Sequence, residues 1–263
     1  MAKTIDFLVK NSVLFNTYLK KFASLDKSVL LELDLDKSQF IIKGSNEERS
    51  IVKYGVLPLS DSGFELKTKS KLRIKIGIYN IPRLIKIIDQ FSSNYELSIK
   101  YDELVGNNQK DYVATSIILS NNSLKFSNEC TSLNIFKYIS DELYQDKIRK
   151  IDDAVSFEFN KEVIEKLRTF CELDKDYKLI EFVSKNGNLY VKGKTFEYLI
   201  VPSSSPDIKI PFYKDQFDKI DLENYKLSIG SDRMLFCSLD TATETLVSKV
   251  EVNENYEETV NED

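Results

Sequence analysis

The sequence predicts an α+β fold with two similar halves, each with two helices packed on antiparallel β-sheet. Four amphipathic helix patterns recur along the 263 residues, and strand-like alternation follows each. Aromatic residues make up 11% of the chain, which suits many half-buried strands. A short sequence motif also repeats, at Asn94-Tyr95-Glu96-Leu97, Asp176-Tyr177-Lys178-Leu179 and Asn224-Tyr225-Lys226-Leu227.

The first two helices belong to the first half. One is predicted from about Phe7 to Ala23, because its apolar residues recur at helical spacing. It leads into VLLELDLD and QFIIKGSN, which alternate and predict a hairpin. The next helix is predicted from Asn80, a suitable N-cap with Pro82 in the first turn, to Phe91.

The second half repeats this order. A third helix is predicted from the N-cap Asn160 to about Cys171, followed by alternating runs around Asn186-Gly187, a strong hairpin signal. A fourth, short helix is predicted from about Phe212 to Ile220, and another hairpin follows it. The helices are too short for a helix bundle, and the strands are not the long apolar runs of a parallel sheet, so antiparallel sheet is favoured.

Charge and composition divide the chain into four segments. We expect a first domain at 1–136, a charged, irregular connector at 137–153, a second domain at 154–252 and an acidic flexible tail at 253–263. From Glu251 to Asp263 there are six acids and no base. The net charge of −5 therefore becomes +1 when this stretch is left out.

Composition excludes most catalytic designs. The chain has no histidine, which removes the commonest general base and zinc ligand, and no glycine-rich phosphate loop. We expect no enzyme activity, no cofactor and no metal, although adjacent acids such as Asp152-Asp153 leave a metal-dependent nuclease formally open. Three widely spaced cysteines and the lack of a long apolar run predict a cytoplasmic protein with no membrane partner.

Two similar halves with a connector, in a chain of this length, resemble the trimeric sliding clamps of tailed phages, archaea and eukaryotes. The most specific stretches are Asn160 to Gly193 and Asn224 to Val252. The resemblance implies the DNA-clamp fold and a processivity factor that encircles duplex DNA and tethers a replicative DNA polymerase. A clamp loader ATPase is a further implied partner, and a viral origin would place the protein in the host cytoplasm. Closed rings of that family have twelve helices around the hole, so four helices per chain imply a homotrimer.

Charge on the helices supports contact with phosphates. The four predicted helices sum to +5, and the rest of the chain to −10. The cations expected to face solvent and bind DNA are Lys10, Lys20, Lys21, Arg83, Lys86, Lys161, Arg168, Lys214 and Lys219. The alternative is that these side chains only solvate the helices.

The resemblance also implies contacts between subunits and with partner peptides. An edge strand at about Tyr112 to Ser120, with Tyr112 and Ile117, would pair with one at about Phe196 to Val201, with Tyr198 and Ile200. A pocket for a partner peptide is expected at Leu143, Tyr144, Ile148 and Pro202. The alternative is that these four only pin the connector to the sheets.

Two other functions stay open at this point. One is a ring-forming scaffold or virion structural protein without DNA in the hole. The other is a monomeric or dimeric viral processivity factor of the same fold, which holds DNA on a basic face instead of encircling it.

Overall fold

The computed structural model describes residues 3–67, 70–91, 93–106, 109–136, 139–151, 155–174, 177–202 and 208–249. For residues 105, 106, 109, 110, 201 and 202 it describes the backbone alone. The chain folds as two compact units, residues 1–140 and 141–263, called unit 1 and unit 2 below.

Unit 1 is a large, mostly antiparallel sheet with helices packed on it. Its strands are β1 (Lys3–Val9), β2 (Val29–Asp34), β3 (Gln39–Ser45), β4 (Ile51–Pro58), β5 (Phe64–Leu66), β6 (Arg73–Ile78), β7 (Tyr95–Gly106), β8 (Gln109–Ser120) and β9 (Lys125–Glu129). Its helices are α1 (Val13–Ala23), α2 (Leu59–Ser62) and α3 (Ile81–Ile88). The strand order runs β4-β3-β2-β6-β8-β7-β1-β5, and β9 pairs with β8. The short β6–β8 contact is parallel.

Unit 2 repeats the plan with its strands in two sheets. Its strands are β10 (Val155–Phe159), β11 (Leu179–Lys185), β12 (Asn188–Lys192), β13 (Glu197–Pro202), β14 (Lys209–Tyr213), β15 (Tyr225–Ile229), β16 (Arg233–Ser238) and β17 (Thr243–Ser248). Its helices are α4 (Asp141–Leu143), α5 (Lys161–Leu173) and α6 (Lys214–Phe217). The sheet orders are β10-β15-β16-β17 and β13-β12-β11-β14.

Each unit has its own apolar core. In unit 1 the buried faces of α1 and α3 pack against the strands through residues such as Phe22 and Ile88. In unit 2, Ile164 and Leu167 of α5 and Phe217 of α6 fill the equivalent space. The α+β class with antiparallel sheet is therefore confirmed.

The local signals for helix starts and hairpins are confirmed. Asn80 accepts a hydrogen bond from the backbone N–H of Arg83 at 2.9 Å, and Asn160 accepts one from that of Val163 at 3.0 Å. Asn186 and Gly187 both have positive φ, 53° and 76°, as the tight turn between β11 and β12 requires.

Two helix boundaries were wrong. The first helix begins at Val13 and not near Phe7, because Ile5, Phe7 and Val9 alternate inward along strand β1. The fourth spans only Lys214–Phe217, since the residues before it form β14 in register with β11. In both cases the period of two belongs to the strand that precedes the helix in the chain.

The repeated Asn-Tyr-x-Leu letters mark equivalent places in the two units. Tyr95 opens β7 and Tyr225 opens β15, and both side chains are fully buried. The third copy differs, because β11 begins at Leu179, after Tyr177. The expected tail, 253–263, lies outside the described residues. Within the described ranges, no helix has the length and apolarity to span a membrane.

Candidate nucleic-acid interface

Unit 1 presents exposed cations on two neighbouring helices. The side-chain amide of Asn16 on α1 donates to the carboxylate of Asp89, at the end of α3, at 2.6 Å. Lys20 on α1, and Arg83 and Lys86 on α3, are exposed. The stripes that α1 and α3 bury against the core leave these three positions outward. A cationic surface of this kind attracts phosphates without regard to base sequence.

Two other cations of unit 1 do not match the expectation of a solvent-facing helix position. Lys21 is buried, with 7% of its surface exposed, because the face that α1 buries is wide enough to include it. Lys10 is exposed but precedes α1, in the turn after β1, and its ammonium lies 2.5 Å from the carboxylate of Glu65. The expectation that both face solvent from a helix was wrong.

In unit 2, Arg168 and Lys214 cap each other's helices. The Arg168 guanidinium on α5 donates to the carbonyls of Phe217 at 3.4 Å, Asp218 at 3.3 Å and Ile220, at and beyond the end of α6. The Lys214 ammonium at the start of α6 donates to the carbonyls of Cys171, at 3.2 Å, and Asp174, at the end of α5. Helix C-termini leave such carbonyls without partners and favour cations.

This reciprocal capping corrects the expected role of both residues. Arg168 and Lys214 are only partly exposed, and their charged groups are engaged by carbonyl oxygens. The exposed cations of α5 are Lys161, as expected, and Lys166, which the sequence reasoning missed. Lys219 is partly exposed after α6. Helical periodicity could have identified Lys166 as exposed, since it lies beside the buried stripe of Ile164 and Leu167.

The expected strand at Tyr112 to Ser120 is not an open edge of unit 1, whereas β9 and the three-residue β5 are. That segment lies in β8, where Ser116–Ser120 pair with both β7 and β9, and Tyr112 and Val113 pair with β6. Ile117 is buried in the core at 4% exposure, and Tyr112 packs on the core beside Tyr101. The expected edge was therefore one strand too early in the chain. The next strand, β9, is an edge strand, which pairs only with β8.

In unit 2 the expected strand does lie at a sheet edge. β13 pairs with β12 alone, at the end of the order β13-β12-β11-β14. Tyr198 and Ile200 are partly buried against the core, and Leu199 between them is 44% exposed. β9 and β13 each leave one row of backbone groups without a strand partner among the described residues.

Of the residues expected to form a peptide pocket, Tyr144 pins the connector instead. Tyr144 is fully buried, and its hydroxyl donates to the Glu244 carboxylate at 2.8 Å. Burial raises the pKa of the Tyr144 phenol well above its ordinary value. Arg149 holds the same carboxylate at 2.8 Å. Leu143 is exposed and Ile148 half-buried, and neither borders the cavity described next. The side chain of Pro202 lies outside the described part of the chain.

A cavity of about 310 Å3 opens in unit 1 between the β2–β3 strands and the segment after β9. Its volume is at the lower end of the range of ligand sites. Lys43 lies at its wall and is paired at 3.0 Å with the buried carboxylate of Glu32. The residues that line it are Asp26, Ser28, Val29, Leu30, Lys43, Gly44, Ser45, Asn46, Glu47, Ile135, Phe136 and Ile139.

Metal-ligating side chains do not cluster among the residues that the structure describes. Across the described ranges, no group of three or more Cys, Asp and Glu side chains is close enough to hold an ion. The cysteines Cys130, Cys171 and Cys237 are all free thiols.

The solved structures that match this arrangement of strands and helices include sliding clamps. The beta clamp of Helicobacter pylori, bound to a DNA ligase peptide, is 12% identical, with a TM-score of 0.65, over 96% of this chain and 67% of its own. The Proliferating Cellular Nuclear Antigen of Entamoeba histolytica is 14% identical, with a TM-score of 0.63, over 95% of this chain and 100% of its own. This chain has the sliding-clamp fold. The PCNA of A. fulgidus, bound to the C-terminal region of FEN-1, is 10% identical, with a TM-score of 0.63 and coverage of 95% and 100%.

The sliding-clamp fold is thus established by structure and not by sequence. No protein-family model and no curated protein matches the sequence. The chain accounts for the full length of the PCNA chains and for about two thirds of the beta clamp. In size it therefore corresponds to the PCNA form of the sliding-clamp fold.

Proposed function

We propose that the chain is a sliding clamp. Copies of it close head to tail into a homotrimeric ring around duplex DNA and hold a replicative DNA polymerase on its template, after a clamp loader ATPase opens the ring. The protein acts by encircling the duplex and by contacting the polymerase, and it carries out no catalysis of its own. The correspondence in length with the PCNA chains supports three copies, since each copy then supplies one third of the ring.

The observation that carries the proposal is the exposed cationic surface of α1 and α3 in unit 1, since α5 also exposes Glu162, Glu165 and Glu172. Lys20 and Lys86 in unit 1, and Lys161 and Lys166 in unit 2, present ammonium groups at solvent. Such groups bind phosphate oxygens with no base readout, which a protein that slides along DNA requires.

Ring closure is supported by two of the open strand edges. An exposed edge strand pairs readily with a strand of another chain, and head-to-tail contacts close when the rotation between copies is right. β9 in unit 1 and β13 in unit 2 are such edges, so each copy offers β9 to one neighbour and β13 to the other.

Tethering of a polymerase is assigned to the cavity of unit 1. The beta clamp of H. pylori and the PCNA of A. fulgidus both hold segments of partner proteins. Here Ile135 and Phe136 offer apolar surface, and Ser28 and Asn46 offer polar groups, beside a volume of about 310 Å3. A short peptide with one or two apolar anchors suits such a site.

The test compares two double substitutions with equal change of charge. Lys20→Gln with Lys86→Gln removes two helix cations, and Lys185→Gln with Lys192→Gln removes two exposed cations from strands of unit 2. Fluorescence anisotropy with labelled duplex is recorded from low to high salt. Each lost phosphate contact lowers the slope of log K against log salt by about 0.9.

The proposal expects a shallower slope and weaker binding for the helix variant only. Equal losses in both variants would mean that DNA responds to net charge and not to the helix surface. Binding that neither variant alters would remove Lys20 and Lys86 from the DNA face.

A further inference from the structure

A strand pair of unit 1 ends in an exposed tyrosine beside an exposed lysine. β6 ends at Ile78, opposite Val29 of β2, and Tyr79 follows directly. The carbonyl of Lys27, two residues before β2, accepts a hydrogen bond from the backbone N–H of Ile81 at 2.8 Å. Tyr79 is 69% exposed, and Lys27 is exposed as well. The chain segments that carry Tyr79 and Lys27 are thus held side by side.

Unit 2 has the same arrangement. Tyr213 is the last residue of β14, opposite Leu179 of β11. The carbonyl of Lys178, directly before β11, accepts a hydrogen bond from the backbone N–H of Lys214 at 2.9 Å. Tyr213 is 41% exposed, and Lys178 is exposed. Among the side chains that the structure describes, no other aromatic ring is exposed to this degree, so the two most exposed of these rings occupy equivalent places.

A lysine beside an exposed aromatic ring favours nucleic acid over protein as the ligand. Tyrosine is common at both kinds of interface, whereas lysine is depleted from protein interfaces and is attracted by phosphates. Each pair has one acid next to it in the chain or within two residues, Asp26 and Asp215, which offsets the charge of its lysine. The ring is therefore the larger part of what each pair offers to a ligand.

An exposed ring binds a nucleic acid best where the bases are unstacked. The bases of a duplex cover each other's faces, whereas those of a single strand can stack on an aromatic side chain. Stacking of this kind accepts every base, because every base has such a face. It also resists salt, which screens contacts between exposed charges.

We infer that the pairs Lys27–Tyr79 and Lys178–Tyr213 bind single-stranded DNA, with a base stacked on each ring and a phosphate at each lysine. This inference rests on the proposed function and adds a site for the template strand where it leaves the duplex. The helix cations Lys20 and Lys86 then hold the duplex by charge, and the two tyrosines hold the single strand by stacking.

The test removes the rings and compares two DNA probes. Tyr79→Ala with Tyr213→Ala removes both rings, and Tyr79→Phe with Tyr213→Phe keeps the rings and removes the hydroxyls. Fluorescence anisotropy of the full chain is recorded from low to high salt with a labelled oligothymidylate and with a labelled duplex. We expect the alanine variant to bind the oligothymidylate roughly fivefold or more weakly at every salt concentration, the scale of one stacked base, with an unchanged salt slope. The phenylalanine variant should bind like the unsubstituted chain, and duplex binding should change in neither.

Two control variants separate stacking from charge and from loss of apolar surface. Lys27→Gln with Lys178→Gln should lower the salt slope on the oligothymidylate by about 0.7 for each lysine. Leu104→Ala with Leu239→Ala removes two side chains that are 54% and 58% exposed elsewhere, and it should leave binding of both probes unchanged. Circular dichroism confirms that each variant is folded.

The outcomes separate this inference from the proposed function. An alanine variant that loses as much on the duplex as on the single strand, or a phenylalanine variant that loses as much as the alanine variant, would overturn the stacking. Weaker self-association of the alanine variant in sedimentation velocity would assign the tyrosines to a protein contact instead. An unsubstituted chain that binds the duplex and not the oligothymidylate would overturn the inference alone, whereas one that binds neither probe would contradict the proposed function as well.

Discussion

Replacing Arg168 by Met should destabilise unit 2 without weakening DNA binding. Methionine keeps the aliphatic stem of the side chain and removes the guanidinium, which donates to the carbonyls of Phe217, Asp218 and Ile220. Hydrogen bonds to charged groups contribute about 1.5–3 kcal/mol when buried. Because Arg168 is half-buried and two of the three contacts are long, we expect a loss of about 1–2 kcal/mol in the free energy of unfolding.

The assay is urea unfolding followed by circular dichroism, with Lys166→Met as the control. Lys166 lies on the same helix and is exposed, so its replacement should change the free energy of unfolding by less than about 0.5 kcal/mol. The salt dependence of DNA binding should respond in the opposite way, falling for Lys166→Met and staying unchanged for Arg168→Met. A stable Arg168→Met variant with a reduced salt slope would refute the capping role and restore Arg168 as a phosphate contact.

Three further predictions concern the connector, the cavity and the thiols. Tyr144→Phe removes the hydroxyl that donates to Glu244 and should lower the free energy of unfolding by about 1–2 kcal/mol in urea titrations; no change would mean that Arg149 alone holds the connector. Gly77→Ala would place a Cβ 2.5 Å from the Thr131 carbonyl oxygen. We therefore expect the free energy of unfolding to fall by about 1–3 kcal/mol, and hydrogen exchange to become faster at 131–136, beside the cavity. Unchanged exchange would contradict the close approach. Burial raises the pKa of Cys130 to about 12 and those of Cys171 and Cys237 to about 11, so all three thiols stay neutral at pH 8. They should react with a disulfide reagent on the order of 10- to 100-fold more slowly than a model thiol. Rapid reaction of the folded protein at pH 8 would contradict this burial.

Local chemistry was enough to predict the repeated architecture. The N-caps Asn80 and Asn160 and the turn at Asn186-Gly187 depend on residues within a few positions of each other, and all three have the expected geometry. The apolar periodicity also identified α1, α3 and α5, because their buried faces repeat at helical spacing. The division into similar halves followed from these elements.

The functional surface was harder to predict, because it depends on which elements pack together. Lys21 looks solvent-facing on a helical projection, yet the wide buried face of α1 covers it. The charged groups of Arg168 and Lys214 meet carbonyls 40 or more residues away in the chain, and no pattern of spacing reveals such a contact.

Strand edges show the same limit. The alternation at Tyr112 to Ser120 correctly predicts a strand, but its position within the sheet depends on pairing with β6, β7 and β9. β9 is only five residues long, so its alternation is a weak signal. The cavity was missed because its walls come from two distant parts of the chain, residues within 26–47 and the residues Ile135, Phe136 and Ile139, and not from the part of the connector around Tyr144.

The central claim is that cationic helices of several copies surround one channel. A three-dimensional electron microscopy reconstruction of the assembled protein tests it most directly. We predict a closed ring of three copies whose opening, on the order of 20 Å or more across to admit a duplex, is lined by α1, α3, α5 and α6 with Lys20 and Lys86 at its surface. An assembly without a central opening, or one with these helices on its outer surface, would contradict the account.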